Sequence, residues 1–135
     1  MRFFLDCTTS GYVAIAVRDR SRQEIRIFPT GDRKRAIVLK EMQRLFSKSH
    51  RAIRPWDEVV VVAGPGKFSD LRVAATMANV LAFACGCRIS SVHRSNIPPE
   101  RGGEYLRDLE QRRHKVRRLS PYYGRPPSIT SPKKR

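Results

Sequence analysis

Apolar and polar residues change period several times along the chain, and each change marks an element. Residues 2–7 (RFFLDC) are apolar and aromatic, 11–18 (GYVAIAVR) alternate small and large apolar positions, and 23–28 (QEIRIF) set Ile25 and Ile27 against Glu24 and Arg26. These are three strands by period and β propensity. Thr8-Thr9-Ser10-Gly11 and Arg18-Asp19-Arg20-Ser21 between them are turn chemistry, so the strands form an antiparallel meander. Over residues 33–48 the spacing becomes helical. Val38, Leu39, Met42, Leu45 and Phe46 fall on one face, with Lys34, Glu41, Arg44 and Lys48 opposite. Residues 58–63 (EVVVVA) then form a continuous β-branched run, as expected of a strand buried on both faces.

Gly64-Pro65-Gly66 follows that strand, and a second helix is predicted over 69–85, with Ser69 as N-cap and Gly86 as terminator. Arg88–Val92 supplies a fifth strand. Strand, strand, strand, helix, strand, helix, strand is the order of a ribonuclease H-like α/β unit: one mixed five-stranded sheet, its last two strands parallel to the first.

The second helix is apolar nearly all round. Leu71, Ala74, Ala75, Ala78, Leu81, Ala82 and Cys85 share one face; Val73, Met77, Val80 and Ala84 lie almost opposite, and Thr76 and Asn79 interrupt. A sheet covers one side of a helix, so the other side needs a partner. A charged, weakly apolar stretch over 103–116 is one candidate cover. A second protein is the other, and the favoured one, because small residues at 74, 78 and 82 permit close approach.

Composition alters this picture chiefly through charge. The chain has 135 residues and a formal net charge of +16. Residues 1–93 carry 16 basic and 8 acidic groups; residues 94–135 carry 12 and 4 in less than half that length. Arg112-Arg113-His114-Lys115-Val116-Arg117-Arg118, followed by Tyr122 and Tyr123, offers cations for phosphates and rings for bases. The proline-rich basic segment 121–135 is expected to lack regular structure. No apolar run approaches the roughly 18–20 residues of a membrane span, so no membrane role is expected. The three cysteines form no disulfide framework, and with three scattered histidines they make a zinc site improbable.

Ala63-Gly64-Pro65-Gly66-Lys67-Phe68-Ser69-Asp70-Leu71-Arg72, with Leu81-Ala82-Phe83-Ala84 after it, closely resembles the GPGSFTGLR segment of the TsaB (YeaZ) family. That family belongs to the actin/Hsp70-like ATPase superfamily. Leu5-Asp6-Cys7-Thr8-Thr9 is similar to its first strand, and Pro121-Tyr122-Tyr123-Gly124-Arg125-Pro126-Pro127 to its Tyr-x-Arg-Pro ending. The resemblance implies a TsaB-like domain over 1–93; the shift in composition after it gives a linker and charged helical segment over 94–120 and a basic tail over 121–135. It also implies a shortened form without the usual second domain. The family motif positions are Asp6, Thr8, Gly64, Pro65, Gly66, Phe68, Ser69, Leu71 and Arg72. Lys67, Ser69 and Asp70 depart from the family's Ser, Thr and Gly, and Asp70 puts a negative charge where a helix N-terminus would hold an anion.

What the resemblance implies is an accessory, non-catalytic subunit of a cytoplasmic tRNA-modifying complex. It would pair with the catalytic subunit TsaD through helices 33–48 and 69–85, join TsaE in the larger assembly, and support threonylcarbamoyl transfer to the adenosine beside the anticodon. The expected interface residues are Leu39, Met42, Val73, Ala74, Met77, Ala78, Val80 and Leu81. No cofactor or metal is expected; a nucleotide would fit only at a shared interface, and a homodimer could form when the chain is alone. Other chemistries fit poorly. A two-metal nuclease needs clustered carboxylates, yet Asp57 and Glu58 sit at the wrong end of their strand, and Asp6 suits a turn-ordering role. The glycine spacing is not that of a Walker A loop. The alternative is an RNA-binding module acting without TsaD, contacting tRNA through Arg112, Arg113, Lys115, Arg117 and Arg118.

Overall fold

The computed structural model describes residues 1–49, 54 and 57–121. β1 (Arg2–Asp6), β2 (Tyr12–Arg18) and β3 (Gln23–Pro29) form the antiparallel meander. Asp19 closes the second turn: its Oδ1 accepts the amides of Ser21 and Arg22, each at 2.9 Å. Helix α1 (Lys34–Ser49) leads to β4 (Glu58–Gly64), which lies parallel to β1. Helix α2 (Phe68–Cys85) then leads to β5 (Arg88–His93), parallel to β4.

The sheet has six strands, in the order β3-β2-β1-β4-β5-β6, rather than five. The stretch 103–116 divides: α3 covers Gly103–Arg112, and His114–Val116 is β6, antiparallel to β5. Only Val116 of those three is apolar, so pairing to β5 rather than hydrophobic period makes the strand.

Alternation along β1 divides the interior into two cores. Phe3, Leu5 and Cys7 face α1 and α2, together with Val59, Val61 and Ala63 of β4. Phe4 faces the other way with Val60 and Val62, and is covered by Tyr105, Leu106 and Leu109 of α3. All of β4 is buried, as its unbroken β-branched run predicts. Burial of Leu106 and Leu109, both fully covered, contributes about 1.5–3 kcal/mol each. The helix α3 therefore lies across the sheet from α2 and does not cover it.

Two helix details differ from the sequence pattern. Helix α2 starts at Phe68, its N-cap is Lys67, and no side chain caps it, so Ser69 is inside the first turn. It ends as expected at Gly86, whose φ of 68° lets its amide reach the Ala82 carbonyl at 2.8 Å. In α1 the buried face is rotated: Lys34 and Glu41 are buried with Val38 and Met42, while Leu39 is 45% exposed. Polar partners explain the rotation, since Arg26 reaches Glu41 at 3.5 Å and Lys34 has three acceptors of its own. Leu45, Phe46 and Lys48 lie outside the described side chains.

Candidate functional site

The carboxyl ends of β1 and β4 bring the motif residues together. Asp6 orders the first turn: its Oδ1 accepts the Thr8 amide at 2.9 Å and the Thr8 hydroxyl at 2.6 Å. Its Oδ2 accepts the Tyr105 hydroxyl at 2.5 Å. Burial, then the Asp6 charge and this hydrogen bond, push the Tyr105 phenol well above its ordinary value. Both Asp6 oxygens are thus engaged inside the molecule. A cleft of about 320 Å³ lies beside them, lined by Thr9, Arg94, Asn96, Glu100 and Tyr105 among others.

The Gly64-Pro65-Gly66 turn approaches the first turn closely. A Cβ on Gly66 would come within 3.1 Å of the Thr8 Cα and 3.2 Å of the Leu71 side chain, so any larger residue would push the two turns apart by a few tenths of an ångström. The Gly64–Pro65 peptide is cis. Lys34 joins the pieces. Its Nζ donates to the carbonyls of Cys7 (3.1 Å) and Thr9 (2.9 Å) and to Asp70 Oδ2 (3.0 Å), and its side chain is only 4% exposed. One buried ammonium therefore ties the β1–β2 turn, the start of α1 and the start of α2. Asp70, expected to repel an anion, serves as that lysine's counter-ion. Sequence reasoning placed Lys34 on a solvated face; its place four residues before Val38, the first buried apolar residue of α1, gave no sign of the partners that bury it.

On the other side, Leu71, Ala74, Ala75 and Ala78 of α2 are buried against the sheet. This corrects three of the expected interface residues. Ala74 (1% exposed), Ala78 (0%) and Met42 (6%) belong to the core, because the small side chains let α2 approach the sheet rather than a second protein. Val73, Met77 and Leu81 are half-buried, and Val80 and Leu39 are exposed. Phe83, which the pattern assigned to no face, is 94% exposed. The outer face of α2 thus carries Val73, Met77, Val80 and Phe83. Contrary to the expectation from apolar runs, α2 is long and apolar enough to cross a membrane by length and composition, with a mean hydropathy of 1.2 over 18 residues. Here its inner face lies on β4, with Leu71, Ala74, Ala75 and Ala78 buried.

Ser69 and Arg72 are exposed at the start of α2, and the Arg72 guanidinium lies over the Phe68 ring at 5.8 Å. Leu71 is buried beneath them. The chain after β6 returns to this side of the sheet. There the Leu119 amide donates to Asn79 Oδ1 at 2.9 Å, and Asn79 Nδ2 donates to the Leu119 carbonyl at 3.3 Å.

The basic run is not uniformly available. Arg112 donates to both oxygens of Asp108 and to the His93 carbonyl, and this contact holds the Asp108 carboxyl below its ordinary value. Arg113 donates to Glu58 Oε1 at 2.6 Å. Burial alone would raise the Glu58 carboxyl, but hydrogen bonds from Ser90 and Arg113, with the Arg113 and Arg2 charges, outweigh it and keep it low. Lys115, Arg117 and Arg118 are exposed and make no ion pair among the described residues. The expected RNA contacts at Arg112 and Arg113 are therefore structural pairs first. Burial pushes the Cys7 thiol up to about 12.

Sheet order, the two parallel crossovers and helices on both faces define an α/β domain with a ribonuclease H-like fold. More particularly, the chain has a YeaZ-like fold. Two similar solved structures are YeaZ from Pseudomonas aeruginosa and a protein described as uncharacterized with similarity to peptidase YEAZ from the same organism. Both superpose with a TM-score of 0.62 at 22% identity over 68% of this chain. The chain spans 43% and 42% of their lengths, less than half of each. Residues 31–97, from the start of α1 through β5, match the family model of TsaD, tRNA N6-adenosine threonylcarbamoyltransferase. No curated protein matches the sequence.

Proposed function

We propose that this chain is a non-catalytic docking subunit. It pairs with a TsaD-family protein through the outer faces of α1 and α2 and supports transfer of a threonylcarbamoyl group to the adenosine beside the tRNA anticodon. The observation that carries this reading is the outer face of α2, where Val80 is 56% and Phe83 94% exposed, with Leu39 of α1 also exposed. Such residues gain about 1.5–3 kcal/mol each when fully covered, and on a YeaZ-like fold a related domain of similar shape can cover them. The engaged oxygens of Asp6 support a structural rather than a catalytic role for the strand ends. In this reading the complex is cytoplasmic and includes TsaE, the chain holds no cofactor alone, and a nucleotide is bound only where partners share a site. A homodimer formed through the same face competes with the pair.

The test is co-purification with the TsaD-family protein of the same genome. The wild-type chain co-elutes with it, whereas V80D/F83D elutes alone with an unchanged thermal melt. Retained co-elution of V80D/F83D sinks the docking reading.

A second reading rests on Lys115, Arg117 and Arg118, which stand exposed at β6 and just beyond it. They suit the phosphates of a tRNA, bound either alone or within the complex.

A further inference from the structure

Resting on the docking reading, we propose that the partner meets the first half of α2 with a cluster of carboxylates, and that Arg72, flanked by Arg35 and Arg118, selects for it. Two surface depressions of about 340 Å³ each lie side by side across α2. One is lined by Arg35, Ser69, Arg72 and Thr76, the other by Arg72, Thr76, Arg118 and Ser120. Arg72 and Thr76 form the wall between them. No Asp or Glu lines either depression, and the nearest acid in sequence, Asp70, is already paired with Lys34.

Arginines without a carboxylate partner also occur elsewhere among the described residues, Arg20, Arg33, Arg94, Arg107 and Arg117 among them; this face differs in gathering three such arginines around two adjoining depressions. Arg2, Arg18, Arg22, Arg26, Arg101, Arg112 and Arg113 all have carboxylate partners within the fold. Arg35 and Arg118 have none among the described residues, and Arg72 has only the Phe68 ring beneath it. Stacking on that ring limits the rotamers of Arg72, which lowers the ordering cost of a new ion pair.

The apolar face decides between protein and nucleic acid. Val73 and Met77 line the Arg35 depression and continue directly into Val80 and Phe83. A body that extends from Val80 and Phe83 over Val73 and Met77 also covers Arg72, and a covered guanidinium is best satisfied by a carboxylate opposite it. A phosphate backbone satisfies the arginines but leaves the apolar half of the same helix bare.

The experiment measures the affinity of the full chain for the TsaD-family protein of its genome at low and high salt. Compared are the wild type, R35E/R72E/R118E and V80D/F83D, each checked for an unchanged melt, with tRNA binding measured in parallel. The wild-type pair weakens on the order of tenfold as salt rises, and the triple reversal binds on the order of tenfold more weakly at low salt, with the salt dependence abolished. The acidic partner face is overturned if the triple reversal matches the wild type at both salts while V80D/F83D fails to bind; docking then stands without it. Loss of tRNA binding alone in the triple reversal overturns it in favour of RNA. Normal assembly of V80D/F83D removes the docking reading itself and this inference with it.

Discussion

Replacing Lys34 by Met keeps most of the length and volume of the side chain and removes the ammonium. Three acceptors are then left without their donor: the carbonyls of Cys7 and Thr9, and the Asp70 carboxylate, whose side chain is 15% exposed. A hydrogen bond to a charged group contributes about 1.5–3 kcal/mol. Removing one partner of a buried pair costs about 3–5 kcal/mol, because the other charge stays buried. These contributions overlap rather than add, so the expected loss is about 3–4 kcal/mol, a large share of the roughly 5–15 kcal/mol that holds such a domain together. In urea unfolding, with a slope of about 1–3 kcal/mol per molar, the midpoint should fall by at least about 1 M. K34M/D70N should recover about 1 kcal/mol or more, since the asparagine leaves no unpaired charge. A K34M midpoint within about 0.3 M of wild type would refute the clamp, as would a double variant no more stable than K34M.

Glu58 has its pKa held below the ordinary value in the folded chain, so its contribution is complete above its unfolded pKa near 4.5 and is lost as pH falls through the lower folded value. E58Q should therefore be less stable than wild type at neutral pH and lose less on acidification; parallel acid-unfolding curves would contradict the network around Arg113, Arg2 and Ser90. K115A/R117A should weaken tRNA binding and reduce the slope of log affinity against log salt by roughly 0.7–0.9 for each phosphate no longer neutralised. Identical isotherms across salt would remove these two residues from any RNA surface.

Most strands and helices could be read from period because burial here is simple. β4 is covered on both faces and reads as an unbroken Val run, and β3 alternates at the sheet edge. The strand β6 could not be read that way: its three residues are fixed by the ladder with Ile89, Ser90 and Ser91, a long-range pairing that composition does not encode. The α2 face was legible as excess apolarity, but not which half of it faced the sheet. Alanines that suit close helix–helix contact suit helix–sheet contact equally well. The polar members of the site were the least legible. Lys34, Glu41 and Arg113 take their roles from partners distant in sequence, and a charged side chain buried by its partner looks the same in sequence as one left in water.

The path of the chain after β6 has a practical consequence. Residues 114–116 close the sheet edge, and the next few residues carry the backbone round to α2, where Asn79 holds Leu119 by two hydrogen bonds. Pro121 lines the same depression as Arg72. An affinity tag or fused protein joined directly after Pro121 is therefore tethered at the flank of α2, the helix proposed to dock. A short attachment at that point has a raised local concentration at α2 and would compete with a partner that docks there. Binding measurements on this chain should be made with no such attachment, or with one joined by a linker long enough to dilute it away from α2.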